Sequence, residues 1–166
     1  MTIKLGMVAV VWFVILSSCQ NKPKVEAVDD QNIVPTESKS ETQMTDIPYI
    51  VAKNYFVKNT VQKLDHPKIE TAEQFNEIFG MATTMGKDGK PTEIDFEKQN
   101  SIALILPETD MATTIEVVSL QKNGHGKITF RYKRTVGQKQ SFTIRPNVVV
   151  LIDKSENGDI AFLEQP

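Results

Sequence analysis

The hydrophobic rhythm of the chain changes several times between residues 49 and 163, and each change predicts an element. Residues 49–58 (YIVAKNYFVK) are rich in β-branched and aromatic side chains and predict a strand. Thr71 with Gln74 three positions later fits a capping box, and Phe75, Ile78 and Phe79 follow at helical spacing. A short helix is therefore expected, with Gly80 at the position just past its end. Glu93, Asp95 and Glu97 alternate with Ile94 and Phe96, so an extended segment there would carry three acids on one face.

Apart from Ser101, residues 101–106 (SIALIL) and 148–152 are continuously apolar and read as central strands. Residues 113–121 predict another strand. Its apolar parity switches between Ile115 and Val117 on one side and Val118 and Leu120 on the other, which points to a bulge near Val117. Residues 123–126 (NGHG) read as a hairpin connection. Beyond it Ile128, Phe130 and Tyr132 point inward, against Thr129, Arg131 and Lys133 outward. A turn at Gly137 is expected, then Phe142 and Ile144 inward with Arg145 outward. Asn157-Gly158 would turn the chain into a last strand over 160–163. The fold class these patterns imply is α+β: one short helix packed on a mostly antiparallel, twisted sheet or half-barrel.

The N-terminal part follows a different pattern. Residues 1–18 have the layout of a secretory signal: Lys4, then an apolar core over 5–16. That core is shorter than the roughly 20 residues a membrane-spanning helix needs. It ends in Leu16-Ser17-Ser18-Cys19, which resembles the bacterial lipobox. The resemblance implies diacylation of the Cys19 thiol, cleavage just before it, and palmitate-type anchoring to a membrane. Cys19 is the single cysteine in the chain, so no disulfide competes for it. Two or three acyl chains hold stably, at about 0.8 kcal/mol per buried CH₂. Residues 19–47 are polar and proline-interrupted and read as the lipidated Cys and a disordered tether. Residues 48–166 form the expected globular domain. Gln20 is not the Asp that retains lipoproteins in some inner membranes, which favours the outer membrane.

Composition narrows the classes. A net charge of −2 excludes bulk electrostatic attraction to nucleic acid. No P-loop, GxGxxG or GxSxG elbow is present, and two separated histidines, His66 and His125, make a poor zinc set. Asp95 and Glu97 could do acid–base work only inside a cleft.

Taken together, the helix, the segment 94–99 (IDFEKQ) before an apolar strand, two strands with outward charges, and 148–154 (VVVLIDK) resemble the C-terminal domain of PrcB, a bacterial protease-complex subunit. The likeness spans about residues 70–155. Where a Gly-Gly-Tyr-like turn is expected, this chain has Met111-Ala112-Thr113-Thr114. The resemblance implies a non-enzymatic, protease-associated binding module, and a monomer is expected.

Two residue sets are candidate sites. Residues 117–152 hold no Asp or Glu but seven cations, and Arg131, Lys133 and Arg145 would share one outward face. With Met111 and Thr113 in the 111–114 loop they are candidates for an acidic protein or glycan partner. Pairing with Glu93, Asp95 and Glu97 is the plainer use of that face. Asp153, Ser155, Asn157, Asp159 and Glu164, with Gly158, match the spacing of an EF-hand loop and are candidate Ca2+ ligands. The expected function is that of a non-enzymatic envelope lipoprotein. A small hydrolase with an unrecognised site and a calcium-stabilised module are the alternatives.

Overall fold

A computed structural model of the chain describes residues 43–83, 85–86 and 89–166. The signal segment, Cys19 and the tether up to residue 42 lie outside the described residues, as do residues 84, 87 and 88. The elements run in the order β1 (Met44–Asp46), β2 (Ile50–Ala52), β3 (Tyr55–Val57), β4 (Lys68–Ile69), α1 (Ala72–Ile78), β5 (Phe79–Met81), β6 (Gln99–Ile105), β7 (Thr109–Asn123), β8 (Ile128–Ile144), β9 (Asn147–Asp153) and β10 (Ile160–Gln165).

Among the described residues the fold class is α+β, with one helix and mostly antiparallel sheets that do not close into a barrel. The strands form two four-stranded sheets rather than the expected one, in the orders β1-β7-β8-β10 and β2-β9-β6-β4, and β3 and β5 make a small third sheet. The two large sheets enclose one core, in which Ile102, Leu104, Val148, Val150 and Ile152 meet Leu120, Ile128, Phe130 and Tyr132. The opposite parity of β6 and β9 (Ala103, Val149, Leu151) packs against Phe75, Phe79, Val57 and Ile69. β6 and β9 are thus buried on both faces, which is why both read as unbroken apolar runs.

Local chemistry explains the boundaries. Thr71 caps α1 by accepting the Gln74 N–H at 3.2 Å, and the Gln74 side chain returns to the Glu70 N–H at 3.0 Å. The helix then passes straight into β5 through an extended Phe79, so Gly80 is a strand residue and not a left-handed cap. The expected single strand over 49–58 is broken by Asn54, whose φ of +64° the sheet cannot hold. The three acids at 93–97 do not lie on a strand. Asp95 instead caps a turn, accepting the Glu97 N–H at 3.1 Å. The bulge is present: Val117 faces Tyr132 and Ser119 faces Arg131, leaving Val118 over.

Two further expectations are corrected. β8 runs on through Gly137, and its register against β7 slips between Lys139 and Ile144, where β8 has more residues than β7. Phe142 falls in that slip and is exposed rather than inward. The tether also ends earlier than residue 47. Met44–Asp46 pair with β7, and Ile47 is 4% exposed, a core side chain whose N–H donates to the Leu120 carbonyl.

Candidate functional site

β7 and β8 form a ribbon of 15 and 17 residues, longer than anything packed beside it. β1 covers only Gln121 to Asn123 of β7, and β10 covers only Ile128 to Lys133 of β8. Among the described residues, no strand pairs with the outer edge of β7 from Thr109 to Glu116, nor with that of β8 from Arg134 to Ile144. Residues 133–139 of β8 are all exposed, Val136 among them. Such an edge offers unpaired backbone N–H and C=O groups in strand geometry.

The ribbon brings together several of the candidate residues. Met111 and Thr113 lie in β7, not in a loop: they face Lys139 and Val136 across the ribbon. The Met111 N–H donates to Thr109 Oγ1 at 3.1 Å and Thr113 Oγ1 donates to the Met111 carbonyl at 3.0 Å, so both are fixed by local bonds. Lys133 stands exposed, opposite Glu116. Arg131 donates through Nη1 to Gln121 Oε1. Lys139 pairs with Asp110 at 3.0 Å.

Arg145 does not share this face. It follows the register slip, in the crossover from β8 to β9, and its Nη1 donates to the Val61 carbonyl. The single basic patch expected from alternation is therefore divided between the ribbon and the far end of β8. Nor is the acidic segment its counterpart, since Asp95 pairs with its own neighbour Lys98 at 2.7 Å. That Lys98 bond, followed by the Glu97 N–H, holds the Asp95 carboxyl below its ordinary range. An exposed carboxylate held ionised is a poor general acid.

The segment 153–164 is not a hairpin. β10 leaves β9 and joins the other sheet, where it pairs in parallel with β8. Gly158 passes so close to the hairpin tip that a Cβ there would collide with the Gly126 carbonyl oxygen. Asp153 Oδ1 accepts from the Ser155 hydroxyl and, second, from the Ser155 N–H, which together lower its pKa. Asn157 Oδ1 accepts from Lys68 Nζ. The Asp159 carbonyl accepts from the Ile128 N–H at 2.8 Å. Glu164, the expected twelfth ligand, pairs with Arg134 Nε at 3.0 Å and accepts from the Tyr132 hydroxyl at 3.2 Å. Burial first, and Glu164 second, raise the Tyr132 pKa. The spacing of the calcium motif is therefore not drawn into a ring, and no group of three or more His, Cys, Asp or Glu gathers among the described residues.

Two grooves were not legible in the sequence. One, of about 910 Å³, lies between α1 and the segment before β6 and has mostly apolar walls, with Tyr55, Phe75, Ile94 and Phe96. The Tyr55 hydroxyl donates to the Thr92 carbonyl at 2.6 Å, and burial, then Glu93, raises its pKa. The other, of about 640 Å³, lies between β3 and the end of β8 and has mostly polar walls. Comparison with family models, with curated proteins and with solved structures finds no match to this chain.

Proposed function

We propose that the protein is a non-enzymatic, lipid-anchored accessory subunit of a bacterial cell envelope that receives an extended, acidic segment of a protein partner along the β7–β8 ribbon. The observation that carries this reading is the unpaired outer edge of β8 from Arg134 to Ile144, in a stretch without a single acid between residues 117 and 152. A strand added to such an edge gains main-chain hydrogen bonds for affinity. Its acids meet the exposed Lys133 at the head of the edge and Lys139, which they take from Asp110, and these charges steer the approach and fix the register. The lipobox at Cys19 supplies the anchor, with the outer membrane as the expected site. The resemblance to the PrcB C-terminal domain is in line with a subunit that binds rather than cleaves.

Photo-crosslinking in the native host tests the reading. A crosslinking residue at Val136 is expected to capture one envelope protein through an acidic peptide, while the same residue at Glu73 on α1 captures none. Charge reversal at Lys133 and Lys139 should weaken that capture by about tenfold or more. Absence of an adduct at Val136, or an adduct indifferent to charge reversal, overturns the ribbon as the docking edge. In the same cells Cys19→Ser should lose incorporated palmitate and leave the membrane fraction; retention in the membrane would refute the anchor.

A further inference from the structure

We infer that the polar groove between β3 and the end of β8 is a carbohydrate-binding site. Four parts of the chain build it: Phe56 in β3, Asn59 and Gln62 in the connection after it, Glu108 in the crossover from β6 to β7, and Arg145 in the crossover from β8 with Asn147 at the start of β9.

Phe56 is the platform. It faces Gly80 across the β3–β5 pair, and the outer half of its ring lies over that glycine. A Cβ at residue 80 would overlap the ring at Cζ, with Cε1 only 2.8 Å away. The ring is therefore seated against backbone on one side, yet 49% of the residue remains open to solvent. A large apolar side chain held in this way at a groove rim suits a ligand with a flat apolar face.

The polar groups around it are held by protein bonds. Arg145 is tied to the Val61 carbonyl, Glu108 Oε1 accepts from Thr143 Oγ1, and Asn147 Nδ2 donates to the Arg145 carbonyl at 3.1 Å. A guanidinium and a carboxylate each have several hydrogen-bonding positions, of which these bonds use one. Asn59 and Gln62 add two amides, each both donor and acceptor. Glu108 and Arg145 have opposite signs, so the groove selects for hydroxyl groups rather than for net charge. A neutral sugar unit combines what this lining asks for: an apolar C–H face for the ring, and a rim of hydroxyls that both donate and accept. The apolar walls of the larger groove beside α1 lack that balance. The groove borders the far end of the ribbon edge at Thr143 and Ile144, but Phe56, Asn59, Gln62, Glu108, Arg145 and Asn147 lie outside β7 and β8, so the inference stands whether or not the ribbon takes a partner.

The test is calorimetric titration of the full chain in detergent with chito-oligosaccharides, cello-oligosaccharides and enzymatically released glycan strands of peptidoglycan. At least one is expected to bind at millimolar concentration or tighter, and Phe56→Ala should weaken it by about tenfold or more. Gly80→Ala keeps the ring but unseats it, and should weaken the same sugar without unfolding the domain. Gln62→Ala should weaken it less, and charge reversal at Lys133 should leave it unchanged. No binding by any of the three probes, or affinity in the Phe56→Ala and Gly80→Ala proteins unchanged from that of the unsubstituted protein, overturns the inference.

Discussion

At the scale of single residues, the pair Phe56 and Gly80 shows how one missing Cβ positions a side chain. Placing Ala at residue 80 would relieve the glycine's conformational cost in a strand, about 0.5–1 kcal/mol. It would also push the ring off its seat, losing a part of the roughly 1.5–3 kcal/mol that full burial of a Phe contributes. The two effects oppose and are similar in size. Gly80→Ala is therefore expected to shift folding stability by no more than about 1 kcal/mol in urea titrations, while NMR reports a displaced, more solvated Phe56 ring. The residue scale was also partly legible in advance. Val118 is the bulged residue, and the parity switch around it is visible in the letters alone. Phe142 was not legible, because its exposure depends on β8 having more residues than β7 across the slip. Alternation along one strand cannot report a mismatch with another.

At the scale of elements, α1 follows from its cap. It has only seven residues, too few to persist without its cap and its packing on sheet and core. Thr71→Ala should cost about 1 kcal/mol by removing the acceptor of the Gln74 N–H, measured as a fall in the urea midpoint at constant m. The last strand illustrates the opposite case. Asn157-Gly158 looks like a hairpin turn, and a hairpin would lay β10 beside β9. Both edges of β9 are already occupied, by β2 and by β6. β10 therefore crosses to the outer edge of β8 and runs parallel to it. Which edges are open is a property of the assembled sheets, so turn chemistry alone could not reveal it. The same crossing pulls Glu164 away from Asp153 and onto Arg134 and Tyr132, which is why a well-spaced set of calcium ligands is not drawn together.

At the scale of the whole molecule, the domain begins before residue 48. Ile47 closes the core between the two large sheets, although it follows a polar stretch that has the composition of a tether. Ile47→Ala should destabilise the domain by about 3 kcal/mol, seen as an early thermal transition of the full chain. A change of that size would mark residue 47 as part of the folded unit; a negligible one would return it to the tether. The α+β class was legible because β6, β8 and β9 each carry a clear pattern. The polar groove was not, because the segment of Phe56 and Gln62 is far in the sequence from Glu108 and from Arg145, and no local spacing links the three.

The central strands have one more property. β7 and β8 meet through the tip at residues 123–127, and β6 and β9 continue the same antiparallel course outside them, from Ile105 opposite Asn147 to Gln99 opposite Asp153. The four strands are a hairpin nested within a hairpin. The ends of this arrangement are far apart in the sequence, and closing so long a loop in one step would be entropically slow. Nesting removes that step. Once the tip around His125 has formed, each further pair closes only a few additional residues, and the chain can zip outward to the centre of the second sheet. The speed with which this domain assembles is thus set at a short turn, residues 123–127, and not in the core that makes it stable.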